Sequence, residues 1–74
     1  MTPPTYAQSY PVTGMTCGHC IASVTEELEE LTGVRDVSVH LVAGGTSTVT
    51  ITSEQPLTDD TVRTAVAEAG YQVA

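Results

Sequence analysis

The sequence predicts an α+β fold of order β-α-β-β-α-β, with four antiparallel strands in one sheet and two helices on one face of it. Three observations carry that expectation. Apolar residues recur at helical spacing in two segments, Cys20-Val24-Leu28-Leu31 and Val62-Ala65-Val66-Ala69. Between them lie two strand-like runs, Val37-Val39-Leu41 in alternation and the β-branched Thr48 to Thr52, split by Gly44-Gly45. Capping residues, glycines and prolines stand at the borders of each segment.

The elements follow in chain order. Met1 to Gln8 is polar and carries Pro3 and Pro4, so residues 1–8 read as a flexible N-terminal tail and residues 9–74 as the folded domain. Ser9 to Thr13 is a strand candidate because Tyr10 and Val12 alternate with polar neighbours. Pro11 weakens it, since proline cannot donate to a sheet ladder, so the strand is expected to begin at or after Pro11. From Gly18 the helical stripe begins, with Ile21 beside it and Glu26, Glu27, Glu29 and Glu30 mainly off it, facing water. Gly33 supplies a left-handed stop. Asp36, Ser38 and His40 fill the solvent side of the next strand, which makes His40 an exposed strand residue. Thr58 is a helix N-cap, Asp59 and Asp60 suit the positive end of the helix dipole, and Leu57 with Val62 form a hydrophobic staple. Gly70 ends that helix, and Tyr71 to Ala74 is a short last strand. This order is the ferredoxin-like split βαβ, whose uncovered sheet face should be polar.

Composition narrows the function classes. The chain of 74 residues carries a net charge of −7, with Arg35 and Arg63 as its only Lys or Arg residues. No basic patch can form, so nucleic acid and anionic membranes are unsuitable partners, and a basic protein surface is a better one. The four glutamates of the first helix would serve such docking. No apolar run is long enough for a signal-peptide core or a membrane span, which points to the cytoplasm. There the only two cysteines, Cys17 and Cys20, stay reduced and free for metal or redox chemistry. Phe and Trp are absent, so aliphatic residues and Met15 must build the core around three tyrosines.

The chemistry concentrates in Gly14-Met15-Thr16-Cys17-Gly18-His19-Cys20. Cys17 falls in the loop before the first helix and Cys20 in its first turn, where backbone N–H groups favour thiolate over thiol. Two soft sulfurs with no further obvious ligand suit Cu(I), which tolerates low coordination by sulfur. Structural zinc wants four ligands, and neither a second CxxC nor a nearby pair of histidines supplies them. A CxxC at a helix start also describes dithiol redox proteins. Against that reading, the chain is short, no aromatic residue adjoins Cys17, and a hairpin follows the helix. Two plainly buried cysteines are the bland alternative, poorly matched to a Gly-flanked loop.

The segment resembles the metal-binding loop of heavy-metal-associated domains, with their pattern Gly-Met-Thr-Cys-x-x-Cys, and residues 9–74 are similar to bacterial copper chaperones of that family. The resemblance also retains the first strand despite Pro11. It implies a cytosolic, non-enzymatic Cu(I) carrier that binds through Cys17 and Cys20. The carrier would pass copper by ligand exchange to a copper-transporting P-type ATPase or a copper-sensing repressor. It implies Met15 as a core plug under the loop and Tyr71 as a residue close to the metal loop, both in a second shell. His19, between the cysteines, is a third ligand, a modulator of the thiolates, or a solvent-facing residue with no role. Surface-near thiols would allow a copper-bridged homodimer. The excised N-terminal domain of a copper pump is the other form of the same chemistry; a chain from Met1 to just past the last strand points to a free-standing protein.

Overall fold

The computed structural model describes residues 5–74 of the chain. Strand β1 (Tyr6–Thr13) leads into helix α1 (Gly18–Glu29), strands β2 (Val34–His40) and β3 (Thr46–Ser53), helix α2 (Asp59–Glu68) and strand β4 (Gln72–Val73). The strands form one antiparallel sheet in the order β2-β3-β1-β4. This is the ferredoxin-like arrangement expected from the pattern.

Period-two alternation assigns the two faces of the sheet. Tyr10 and Val12 of β1 and Val49 and Ile51 of β3 are buried against Val24 and Leu28 of α1 and Val62 and Val66 of α2. Ser9, Pro11, Thr48 and His40 point to the other, uncovered face and are exposed. Ser47 and Ser53 are fully buried at the two ends of the same core-facing row in β3. Each hydroxyl is satisfied: Ser47 Oγ accepts from the Val42 N–H at 2.9 Å, and Ser53 Oγ donates to the Gln55 carbonyl at 2.6 Å.

Several expectations are corrected. β1 starts at Tyr6, before Pro11, and pairs with β3 along its whole length. The Pro11 carbonyl accepts from the Ala74 N–H at 2.8 Å, so residue 11 aims its backbone away from β3, toward the edge where β4 ends. A missing N–H there breaks no bond of the long β1–β3 ladder. Of the expected tail, residues 6–8 therefore lie in the sheet, and residues 1–4 lie outside the described residues. β2 begins at Val34, three residues before its alternation is visible, because a bulge between Val34 and Asp36 interrupts the period. Leu41 falls just beyond β2, and Leu31 just beyond α1; both still pack against the core. Glu27 is half-buried rather than facing water.

Gln8 fastens β1 to the start of α2. Its Oε1 accepts from the Leu57 N–H at 2.8 Å, and its Nε2 donates to the Leu57 carbonyl at 3.0 Å and to the Tyr10 hydroxyl at 2.9 Å. Thr58 Oγ1 caps α2 by accepting from the Thr61 N–H at 3.2 Å. Among the described residues, no helix is long and apolar enough to cross a membrane.

Candidate metal centre

The loop between β1 and α1 brings the two thiols together. Gly14 turns the chain with φ +94°, a conformation L side chains rarely adopt, and a Cβ there would sit 3.4 Å from the Tyr71 ring. Met15 then turns inward and is fully buried beneath the loop. Cys17 is the N-cap of α1 in extended conformation, yet its side chain makes no capping bond. The thiol is exposed and unspent. Cys20 closes the first turn, with its N–H donating to the Cys17 carbonyl at 3.1 Å, and it is buried at the head of the apolar stripe. The two Sγ atoms stand 3.8 Å apart.

That separation is informative. It is far beyond the ~2.05 Å of a disulfide. It is shorter than twice a metal–thiolate bond of about 2.3 Å, so one ion can touch both sulfurs. Among the described residues, no group of three or more His, Cys, Asp or Glu side chains converges, so nothing completes a four-ligand zinc set. His19 is exposed on the first turn of α1, beside the pair rather than converging with it.

The surroundings of Cys20 favour its thiolate. The Thr16 N–H donates to its Sγ at 3.4 Å, and the Thr16 hydroxyl lies 3.8 Å from it. The Thr16 backbone contributes most, followed by the nearby Tyr71 phenol and the Cys17 backbone; together they outweigh burial and hold the thiol at about pKa 6, down from 9.0. The same contact raises the Tyr71 phenol above its ordinary value, which keeps it protonated as a donor. No acidic residue lies in the first turn of α1 to compete for its positive end.

The end of α2 delivers Tyr71 to this place. The Tyr71 N–H bonds the Val66 carbonyl at 3.1 Å and the Gly70 N–H bonds the Ala67 carbonyl at 2.9 Å. With Gly70 at φ +94°, this is the Schellman ending, and it folds the next residue back over the loop. Sequence reasoning missed Thr16, although its place directly before an N-cap cysteine is a local signal that its N–H faces the first turn.

The sequence profile of the heavy-metal-associated domain matches residues 9–72. A COP-associated protein of Helicobacter felis is 32% identical over 63 residues, covering 85% of this chain and 91% of that protein. The solution structure of apo-CopP from Helicobacter pylori superposes with a TM-score of 0.74 at 25% identity, covering 93% of this chain and all of the other. A CopZ metallochaperone superposes with a TM-score of 0.74 at 28% identity, over 93% of this chain and 100% of its own. The chain belongs to the heavy-metal-associated domain family.

Proposed function

We propose that this protein is a cytoplasmic copper chaperone that carries Cu(I) on Cys17 and Cys20. The observation that supports this most is the asymmetry of the thiol pair. Cys20 is buried and held toward thiolate, while Cys17 is exposed 3.8 Å away with no bond of its own to the helix end. A buried ligand anchors the ion, and an exposed ligand can be exchanged. An acceptor thiolate would approach from the Cys17 side and enter a three-coordinate intermediate. Cys17 would leave before Cys20, so the ion is never free. No substrate bond is made or broken, and the protein is not an enzyme in this reading.

The acceptors that suit this chemistry are a copper-transporting P-type ATPase and a copper-sensing repressor, each offering its own soft ligands. The kinship with a COP-associated protein and a CopZ metallochaperone, and the likeness in fold to a putative copper-ion-binding protein of Bacillus anthracis, support the cargo. Met15 supports the loop from below and Tyr71 shields Cys20. His19, exposed on the first turn of α1, modulates the pair from the solvent side. Two copies meeting at their exposed thiols would form a copper-bridged homodimer.

Transfer is the property to test. Cu(I)-loaded protein is mixed anaerobically with the purified N-terminal domain of a copper-transporting ATPase, with a Cu(I) chelator present to trap any released ion. Movement of copper to the domain without passage through the chelator is the expected result. Copper that reaches the domain only at the rate of chelator exchange would refute a chaperone role. Insulin reduction by the reduced protein would favour dithiol exchange instead.

A further inference from the structure

Away from the thiols, α1 and α2 leave an open groove of about 380 Å³ between them. Its lining includes Leu31 and Ala65, both packed against the core, together with the carboxylates of Glu27, Glu30, Asp60 and Glu68. Glu27 of α1 and Glu68 of α2 line it from opposite helices, close enough for the charge of one to act on the other. Burial first, then the charges of Glu30 and Glu68, push the Glu27 carboxyl above its ordinary range.

Among the described residues no cationic side chain lines this groove, and Arg63, although on α2, is not part of its lining. The chain contains no lysine. Arg35 pairs with Glu54 at the far edge of the sheet, and among the described residues no other ion pair forms. Nor do these carboxylates converge to hold a metal ion among the described residues. Apolar surface enclosed by unneutralised carboxylates calls for a side chain with an apolar stem and a charged head.

We propose that the groove between α1 and α2 docks an arginine side chain presented by a basic partner protein. The paired carboxylates of Glu27 and Glu68 match the planar fork of a guanidinium, which bonds two acceptors at once and never deprotonates. Its methylene stem lies along Leu31 and Ala65. A lysine would fit less well, because an ammonium is a compact, strongly hydrated point charge. The groove shares no residue with the thiol loop, so the inference does not rest on the copper reading.

The test is an amide chemical-shift titration of the full, reduced, metal-free chain at low salt. The probes are the peptide acetyl-Ala-Arg-Ala-amide and its analogues with citrulline or lysine in the centre. The arginine peptide should give saturable shifts centred on Leu31, Thr61 and Thr64, and the lysine peptide should bind about threefold more weakly. The uncharged citrulline peptide should leave these amides unmoved. Glu68→Gln, and separately Glu27→Gln with Glu68→Gln, should weaken the arginine peptide about fivefold while the rest of the spectrum keeps its folded dispersion. Equal shifts from citrulline, equal binding of lysine, unchanged binding by the variants, or shifts centred on Gly18 to Cys20 would each overturn the assignment.

Discussion

The two helices begin in opposite ways. At the start of α2, Thr58 caps the chain, Asp59 and Asp60 sit in the first turn, and Gln8 binds both backbone groups of Leu57. At the start of α1, the N-cap is a cysteine whose side chain caps nothing, and the first turn carries no acid. One helix end is closed by its own side chains; the other leaves its positive pole to a pair of sulfurs. The same backbone feature becomes structural where the polar groups are satisfied and chemical where they are left for a thiolate. The tertiary supports follow the same division. Gln8 ties β1 to the closed end, while Thr16 and Tyr71 converge on Cys20 at the open one.

Breaking the closed end should have the largest effect on stability. Gln8→Ala removes three hydrogen bonds and leaves the Leu57 N–H and carbonyl without this partner. A loss of about 1–3 kcal/mol is expected in urea unfolding. Cu(I) affinity of the folded fraction should stay at the parent value, since Gln8 lies at the other end of β1 from the thiol loop. A matching fall in affinity would show that the two ends are not separate.

Closing the open end should act in the reverse sense. Cys17→Ser places a good N-cap at the head of α1 and should raise stability by about 0.5–1 kcal/mol. The same change should weaken Cu(I) binding, because a hard hydroxyl replaces a soft sulfur. A variant that loses both stability and copper would mean that Cys17 already supports the helix.

A third difference separates the two ends by pH. The Cys20 thiol is held at about 6 in the fold, below 9.0. A depressed acid stabilises the fold above its unfolded pKa, and that contribution is lost as pH falls through the folded value. The reduced, metal-free protein should therefore gain stability as pH rises from about 6 to about 9. Cys20→Ser should remove that gain from the unfolding midpoint. A slope that survives the substitution would assign the pH dependence to other groups.

Much of this division is legible in the sequence, because the signals at both helix starts are local. Thr58 with two following aspartates announces a capped helix, Gly44-Gly45 announces the hairpin, and Cys17 with Cys20 announces the thiol pair. What could not be read is what reaches across the chain. Gln8 meets Leu57 over a separation of 49 residues, and a polar residue on the same face as Tyr10 and Val12 gives only a hint that it needs a partner. Pro11 looked like the limit of β1 because its missing N–H matters only if it faces a neighbour; the sheet order turns it toward the short β4 edge. The glutamates of α1 read as one solvated face, whereas the packing of α2 alongside draws Glu27 into the groove next to Glu68. Arg35 lies in a bulge that no periodicity marks, and its pairing with Glu54 depends on the register of β2 against β3.

The most direct measurement is an anaerobic Cu(I) titration against a competing chelator for the parent, Cys17→Ser, Cys20→Ser and the double variant. One tightly held Cu(I) per chain is expected in the parent, weaker binding in each single variant, and no competitive binding in the double variant. Far-UV circular dichroism of the double variant should match the parent, since neither thiol is needed for the fold. A double variant that still takes Cu(I) from the chelator as the parent does would place the copper site elsewhere and contradict the account.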